Sequence, residues 1–342
     1  MAVPLESGIG VVNFNKQSAK GTMATAASTA VGTNRPRLYE STLKPNKVTG
    51  SEEYVDGQRF SSPSQFVDMT GGEVGDVTIQ AQAENASLFF AQILGVDVVT
   101  GASDPYTHTI TSAGTAGGYG TWWADVGSSV RNREVFWDAK ISKLVFEIGQ
   151  DQKVAHQTMS LMSLKPGEVY TTNPTKTEDA SDPFYWTEVT GAAEIDSTVV
   201  REVEGETLEI DTGMEVFYGD DREPLQLIEK KGGITRTLKT IVTDDTLAKY
   251  KKVLYGTATP TAGDRPSADV AYFPLETVYT KSATRTLSIV TPRVSVKSDD
   301  FQIGPQREGG KTEIMFGGEC LKDGATPALT IVGLSADATS YA

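Results

Sequence analysis

The chain carries one local pattern twice: an alternating run that starts at a Gly-Gly pair and leads into a short helix. In the first copy the pair lies at 71–72 and the helical segment, NASLFFAQILG, at 85–95. The second copy lies 161 residues further along, with the pair at 232–233 and the segment TLAKYKKVLYG at 246–256. Only the Gly-Gly pairs and the final glycines are identical. We therefore predict a duplicated strand–helix unit from pattern, with chance recurrence of a common unit as the alternative.

Both copies predict the same two elements. Apolar residues at every second position predict a half-buried strand, and apolar residues three to seven positions apart predict one face of a helix. We expect Asn85 to cap the first helix and Asp244 or Asp245 the second, and Gly95 and Gly256 to end them in the left-handed conformation. The alternating positions are Val77, Ile79, Ala81 and Ala83, then Leu238, Thr240 and Val242; the helical faces are Ala86, Phe89 and Ile93, then Leu247, Tyr250 and Leu254.

Further alternating runs follow each helix, so both halves are predicted to consist mostly of strands. The fold class is therefore mainly β, with two tandem β-sandwich or barrel modules that each carry a flanking short helix. Regular helices do not separate the strands, which argues against a doubly wound α/β sheet. We predict an Ala/Gly/Ser/Thr-rich arm at 1–35, a first module at 36–164, a Pro/Thr/acid-rich linker at 165–185 and a second module at 186–342.

Composition narrows the functional classes. With 342 residues the chain is long enough for a sizeable core, and its net charge of −14 argues against a surface that binds nucleic acid or acidic membranes. The single cysteine, Cys320, excludes an intrachain disulfide and is expected to be a small buried hydrophobe. The opening MAVPLESGIG does not resemble a signal peptide, and no run of 18 apolar residues predicts a membrane span.

Catalytic and metal-binding motifs are not evident, so we predict no enzyme, catalytic residue, metal site or cofactor. Neither His108 nor His156 lies at the spacing of a known nucleophile or metal-binding motif. We expect each of them to be an ordinary polar residue on the face of a strand. The segment GPQREGGKT at 304–312 is one residue longer than the spacing of a phosphate-binding loop. It also precedes a strand-like run where such a loop requires a helix, so we expect a turn between two strands. Trp122-Trp123 could form a sugar-stacking platform or pack at a contact.

Four segments resemble the tail tube (major tail) proteins of long, non-contractile-tailed bacteriophages. These segments are GVVNFNKQSAKGTMATAAS at 10–28, ENASLFFAQILGVD at 84–97, DPYTHTI at 104–110 and VFWDAKISKLVFEIGQDQ at 135–152. The resemblance implies tail-tube-type β-sandwich or barrel modules that join edge to edge into rings, with sheets lining a central channel. Rings of such proteins stack through long loops and terminal arms.

The resemblance also implies the partners and the location. The usual ring has six modules, so a chain with two modules implies a pseudo-sixfold trimer, and a chain with one module plus a decorating domain implies a hexamer. Other implied partners are a tape-measure protein, further tail proteins and DNA as passing cargo that is not tightly bound, with no membrane. The protein would belong to the virion tail and be assembled in the cytoplasm of a bacterial host, and its acidity would repel DNA phosphates.

We expect the loops at about 40–70 and 200–231 to make ring-to-ring contacts or face the channel. The carboxylates chosen as candidates there are Glu52, Glu53, Asp56, Asp220 and Asp221. Two other functions stay open at this point: a carbohydrate-binding β-sandwich that uses Trp122-Trp123, and a hydrolase with a site around one of the histidines. A terminator or a decoration protein fits a chain of this length less well.

Overall fold

The computed structural model describes thirteen segments of the chain, which contain many antiparallel strands and two α-helices. The described residues are 10–24, 36–45, 47–54, 62–112, 117–126, 132–165, 167–170, 181–188, 193–219, 224–266, 271–296, 302–304 and 312–342. The first strands are β1 (Gly10–Lys16), β2 (Leu38–Ser41), β3 (Lys47–Tyr54), β4 (Ser62–Thr70), β5 (Gly72–Gln80), β6 (Gly95–Thr100), β7 (Tyr106–Ser112), β8 (Gly120–Val126), β9 (Asn132–Gly149), β10 (His156–Ser163) and β11 (Glu168–Val169). They are followed by β12 (Ala193–Ile195), β13 (Thr198–Val200), β14 (Val203–Asp211), β15 (Glu215–Tyr218), β16 (Pro224–Ile228), β17 (Gly233–Ile241), β18 (Tyr272–Ser282), β19 (Arg285–Ser295), β20 (Gln302–Gly304), β21 (Glu313–Leu321) and β22 (Thr330–Ser335). The helices are α1 (Ala86–Leu94) and α2 (Asp244–Tyr255), with a 3-10 turn at Trp186–Glu188.

Eight antiparallel strands form what we call the main sheet, in the order β2-β5-β10-β9-β14-β17-β21-β20. The long strand β9 lies at its centre. Along one edge β9 pairs with β8 and then with β14, and along the other with β11 and then with β10. Strand β8 also pairs with β1. The predicted mainly β class is confirmed.

A second sheet has the order β6-β7-β22-β19-β18-β12-β13. It joins the main sheet at β21, which pairs with β17 along most of its length and with β19 at Leu321 and Cys320. The largest hydrophobic cluster contains side chains of both sheets and of α1. Two hairpins, β3–β4 and β15–β16, form separate two-stranded sheets.

The alternation predicted from sequence is confirmed in both strand–helix units. Val77 and Ile79 on β5 and Leu238 and Thr240 on β17 are all fully buried, because every second side chain of a strand points to the same side. Cys320 is buried as expected.

The helix ends match the prediction at the carboxyl side and differ at the amino side. Gly95 and Gly256 adopt the left-handed conformation that ends α1 and α2. Asn85 makes no capping hydrogen bond, because its side-chain amide is engaged with Gln82 in the preceding turn. Thr243, rather than Asp244 or Asp245, caps α2, and its side chain accepts from the Thr246 N–H.

The two helices are buried to very different extents. Every residue of α1, ASLFFAQIL, is buried, since the helix has no charged residue and lies inside the core instead of presenting one face. In α2, only Thr246 and Lys249 are buried, and its apolar side packs on a smaller cluster.

The predicted domain limits fall on well-packed parts of the fold. Residues 10–16 of the predicted arm form β1, which buries Val12 and Phe14. At the end of the predicted linker, Phe184 is fully buried. Strands from both predicted modules pair directly, as β9 does with β14 and β7 with β22. The division into two modules stays a prediction.

A buried ion pair fixes the main sheet on the second sheet. Arg236 on β17 and Glu206 on β14 are fully buried, and the arginine Nε lies 2.8 Å from Glu206 Oε1. The hydroxyl of Tyr279, on β18, donates to the other carboxylate oxygen. Burial and then the charge of Glu206 raise the pKa of Tyr279 well above its ordinary value, so the phenol remains a donor. The guanidinium also donates to the Leu275 carbonyl oxygen at 2.7 Å, Thr291 Oγ1 at 2.9 Å and Thr277 Oγ1 at 2.6 Å.

Arg236→Met is expected to lower the free energy of unfolding by about 3–5 kcal/mol, because it leaves the Glu206 carboxylate buried without its cation. The measurement is urea unfolding followed by circular dichroism. As a matched control, Lys143→Met removes the partner of Glu209, whose ion pair is 2.9 Å long with both side chains 38% exposed. That exposed pair should contribute less than about 1 kcal/mol. Equal losses in both variants would contradict the structural role of the buried pair.

Candidate assembly surface

The side chains of the main sheet that point away from the core form a broad polar surface, which we call the polar face. It extends over β5, β10, β9, β14, β17 and β21. Residues in one row across these strands are directly opposite each other, and all but one of the residues in the two rows named next are at least partly exposed. One row contains Thr78, Thr158, Val145, Glu209, Thr235 and Glu319; a neighbouring row contains Gln80, His156, Glu147, Thr207, Thr237 and Gly317, of which the glycine alone is buried.

The polar face follows from the sequences of its strands. In β14, VEGETLEID, and β17, GITRTLKTI, threonine and charged residues alternate with apolar ones. Threonine is favoured in strands because its branched side chain fits a pleated surface, and its hydroxyl suits the solvated side. Thr78 and Thr158 on neighbouring strands illustrate this, with their hydroxyl oxygens 3.0 Å apart. The result is a sheet that is hydrophilic on one side, whereas its core side is apolar apart from buried polar groups such as the Arg236–Glu206 pair.

The polar face is acidic. Its two lysines form ion pairs with carboxylates, Lys143 with Glu209 at 2.9 Å and Lys239 with Glu313 at 2.8 Å. Four further carboxylates have no lysine or arginine partner among the described residues, so negative charge is in excess. These four are Asp76, Glu147, Asp211 and Glu319.

Exposed apolar side chains lie on strands that have a free edge. Tyr39 on β2, Val98 on β6, Val169 on β11 and Ile303 on β20 are exposed, and each of these strands pairs with one other strand in the described part of the chain. Monomeric proteins protect such edges with charge or with a covering element. Apolar residues there make these edges candidates for contact with another protein surface.

The hairpins carry the loops that sequence predicted for ring contact. Glu52 and Glu53 lie on β3, where the structure describes the backbone. Asp56, Asp220 and Asp221 lie outside the described residues. The role predicted for these five carboxylates stays a prediction.

The β15–β16 hairpin has an apolar outer side. Its inner residue Leu227 packs with Leu164 and Met214 on the body of the protein. Phe217 on the other side, and Leu225 where the pairing of the hairpin is irregular, are exposed. The hairpin therefore presents apolar surface on a projecting element, as contact regions commonly do.

The buried His108, on β7, connects Asp97 on β6 with Asp337 near residue 342, and we call these three residues the clasp. Its Nδ1 lies 2.9 Å from Asp97 Oδ2 and its Nε2 lies 2.9 Å from the Asp337 carbonyl oxygen. Both partners are acceptors, so the site has a use for an N–H on each ring nitrogen and favours the protonated imidazole. Burial lowers the pKa of His108, but the hydrogen bonds and charges of Asp97 and Asp337 outweigh it and the pKa is raised. The ring stacks on Tyr341 at a centroid distance of 4.2 Å.

The remaining residues considered for chemistry have structural surroundings. His156 lies on the polar face with its ring 4.6 Å from that of Tyr39, and burial lowers its pKa. Trp122 and Trp123 are each only 1% exposed. The alternative of a sugar-stacking platform is therefore wrong for these two tryptophans, because a platform must be open to the ligand. The segment 305–311 lies outside the described residues, and the strands on either side of it, β20 and β21, pair antiparallel.

Two further observations concern the described segments as a set. They contain no group of three histidine, cysteine or acidic side chains placed to hold a metal ion. Neither of their helices is long and apolar enough to cross a membrane.

Sequence reasoning did not find the polar face. Its signal was the threonine and glutamate at outward positions of β14 and β17, but alternation alone does not say which strands are neighbours.

His108→Gln is expected to cost most stability at low pH. Because the folded pKa is raised, the contribution of the clasp is complete below about pH 6.5, the unfolded value, and is lost as pH rises through the folded pKa. The measurement is the difference in urea unfolding free energy between wild type and variant from about pH 5 to about pH 9. His156→Gln is the control with the opposite sign, because its folded pKa is lowered and the wild-type advantage should grow as pH rises toward about 6.5. A difference for His108→Gln that does not change with pH would contradict the clasp.

Comparison with known proteins assigns a family. A family model described as phage tail tube protein matches residues 9–313. No curated protein sequence matches the chain.

Proposed function

Because the chain belongs to the phage tail tube protein family and is thus a structural component of a virion tail, we propose that its copies assemble into stacked rings that form the channel for genome ejection. The observation that carries this proposal is the polar face, a solvated sheet surface six strands wide. A channel wall of this kind needs a continuous hydrophilic surface.

The polar face is proposed to line the channel. Double-stranded DNA carries one negative charge for about every 1.7 Å of its axis, so an acidic wall repels it. The unpaired carboxylates Asp76, Glu147, Asp211 and Glu319 keep the phosphates from binding, and the threonine hydroxyls keep the wall wet. DNA is thus a passing cargo rather than a ligand.

Ring stacking is proposed to use the two hairpins. The exposed Phe217 and Leu225 of β15–β16 would be covered by a neighbouring ring, and β3–β4 with Glu52 and Glu53 would make the corresponding contact from the other predicted module. Asp56, Asp220 and Asp221 belong to the same proposed contact regions.

The proposed ring is a pseudo-sixfold trimer, with a hexamer as the alternative if the chain supplies one module. The proposed partners besides further copies are a tape-measure protein and other tail proteins, and assembly would take place in the cytoplasm of a bacterial host.

Negative-stain electron microscopy with two-dimensional class averages tests assembly. We expect hollow rings or tubes from the purified full chain, with threefold features inside a sixfold outline. True sixfold averages would keep the tube function and replace the trimer by a hexamer. Compact monomers at every concentration, with no rings, would contradict the proposal.

Reversing charge on the polar face should turn the channel into a DNA-binding surface. In the double variant Glu147→Lys and Glu319→Lys, tubes are expected to retain double-stranded DNA, and rising salt should weaken the retention because phosphate contacts release counterions. The measurement is co-sedimentation of tubes with short DNA duplexes that can enter an open tube.

The matched control for this prediction is Glu168→Lys with Glu194→Lys. It makes the same change in net charge on β11 and on β12, two strands that are not among the six strands of the polar face. Equal DNA retention by both double variants would show that the polar face does not line the channel.

A further inference from the structure

The main sheet consists of two sets of four strands in the same spatial order. The first set is β2-β5-β10-β9 and the second is β14-β17-β21-β20. The chain also visits the two sets in the same order, and in each set a separate hairpin is inserted before the strand that leads into the helix. The pairing of β9 with β14 joins the sets within one chain.

The residue register between the first two strands of each set is also repeated, including a bulge at the same position. On β2, Leu38 is opposite Ile79 and Glu40 is opposite Thr78, so Tyr39 bulges out. The positions 161 residues beyond Ile79 and Thr78 are Thr240 and Lys239 on β17. Thr240 is opposite Val203 and Lys239 is opposite Gly205 on β14. Glu204 therefore bulges out in the same way as Tyr39. A chance recurrence of a strand–helix unit does not explain a shared bulge.

The other two pairings of each set agree as well. Ile79 on β5 is opposite Gln157 on β10, which is opposite Phe146 on β9. In the second set Thr240 is opposite Ile314, which is opposite Ile303 on β20. Ile303 therefore occupies the position of Phe146.

The residue that corresponds to Leu208 of β14 is Leu43. Beyond the end of β2, the N–H groups of Thr42 and Lys44 donate to the carbonyl oxygens of Asp76 and Val74, both at 2.9 Å. These contacts continue the β2–β5 pairing, as Thr207 and Glu209 continue the pairing of β14 with β17. Leu43 lies between them, as Leu208 lies between Thr207 and Glu209.

The joint inside the chain is well packed, whereas its two counterparts at the ends of the sheet have no strand paired to them in the described part of the chain. Phe146 and Leu208 are directly opposite each other across the β9–β14 joint, and both are fully buried. Their counterparts are Ile303, which is 37% exposed on β20, and Leu43, which is partly exposed. The Leu43 N–H makes only a long contact of 3.4 Å, to Ser41 Oγ.

We infer that β20 of one copy pairs antiparallel with the β2 strand of the next copy, in the register of the β9–β14 joint. Ile303 would then be opposite Leu43 of the next copy, with Gln302 opposite Lys44 and Gly304 opposite Thr42. The inference rests on the proposed tube function and names the strands that join its subunits. The contact is heterologous, because two different edges meet. Repetition of the same step closes a ring where the rotations add up to a full turn, as the proposed trimer requires, and gives an open filament otherwise.

This joint satisfies the two free edges with one pairing and makes the polar face continuous between copies. It also places apolar Ile303 and Leu43 together at the core side of the sheet, as Phe146 and Leu208 are within the chain. The partner is a second copy of this chain, since the template for the contact is the chain's own β9–β14 joint.

Cross-linking between single-cysteine variants tests the joint directly. Gln302→Cys and Lys44→Cys are made separately in a Cys320→Ala background, mixed under assembly conditions and treated with a short thiol-specific cross-linker. We expect covalent dimers from the mixture and none from either variant alone, because the two edges differ. Gln302→Cys mixed with Glu168→Cys is the control, and it should give none.

The possible results separate failure of the proposed β20–β2 joint from failure of the proposed tube function. Dimers from Gln302→Cys alone would indicate a twofold contact and overturn the joint. Rings seen by electron microscopy without cross-links in the mixture would overturn the joint and leave the proposed tube function standing. Cross-links in the mixture without rings or tubes would support the joint and count against the tube.

A substitution at the edge gives an independent readout. Ile303→Lys is expected to abolish rings and leave monomers in sedimentation, because a charge on an edge strand opposes pairing. Val199→Lys, on the exposed strand β13 of the second sheet and outside the contacts proposed here, is the matched control and should still form rings. Urea unfolding of both variants checks that the monomers are folded. Rings formed by folded Ile303→Lys would overturn the joint.

Discussion

The pairing of β9 with β14 is the contact on which the rest of the structure depends. Seven residue pairs, from Gly149 opposite Gly205 to Lys143 opposite Asp211, connect strands that lie far apart in sequence. Without them the four strands that begin at β2 and the four that begin at β14 would be separate sheets with exposed edges. With them the chain has one polar face and one shared core.

The buried pair of Arg236 and Glu206 fixes how that sheet lies on the second one. A charge pair inside a core costs desolvation free energy, and here every guanidinium contact goes to β14, β18 or β19. Hydrophobic side chains could pack in several registers, whereas this network is satisfied in one. The main sheet therefore keeps a fixed position relative to the second sheet.

Local sequence predicted local structure well. Alternation identified β5 and β17, and the glycines that end α1 and α2 were found because left-handed backbone favours glycine. The errors came from competing polar groups. Asn85 has the side chain of a cap but bonds to Gln82 instead, and Thr243 caps α2 where the two aspartates after it were expected. Burial of α1 on all sides was also missed, since an amphipathic interpretation was imposed on a helix without charged residues.

The sequence by itself determined the mainly β class, the acidity, the repeated strand–helix unit and, through short segments, the family. Those are properties of composition and of neighbours along the chain. Only the tertiary structure decided which strands lie side by side, and with them the polar face, the buried tryptophans and the free edges of β2 and β20. The physical reason is that strand pairing is made by backbone groups, which every residue carries, so the side-chain pattern of a strand does not name its partner.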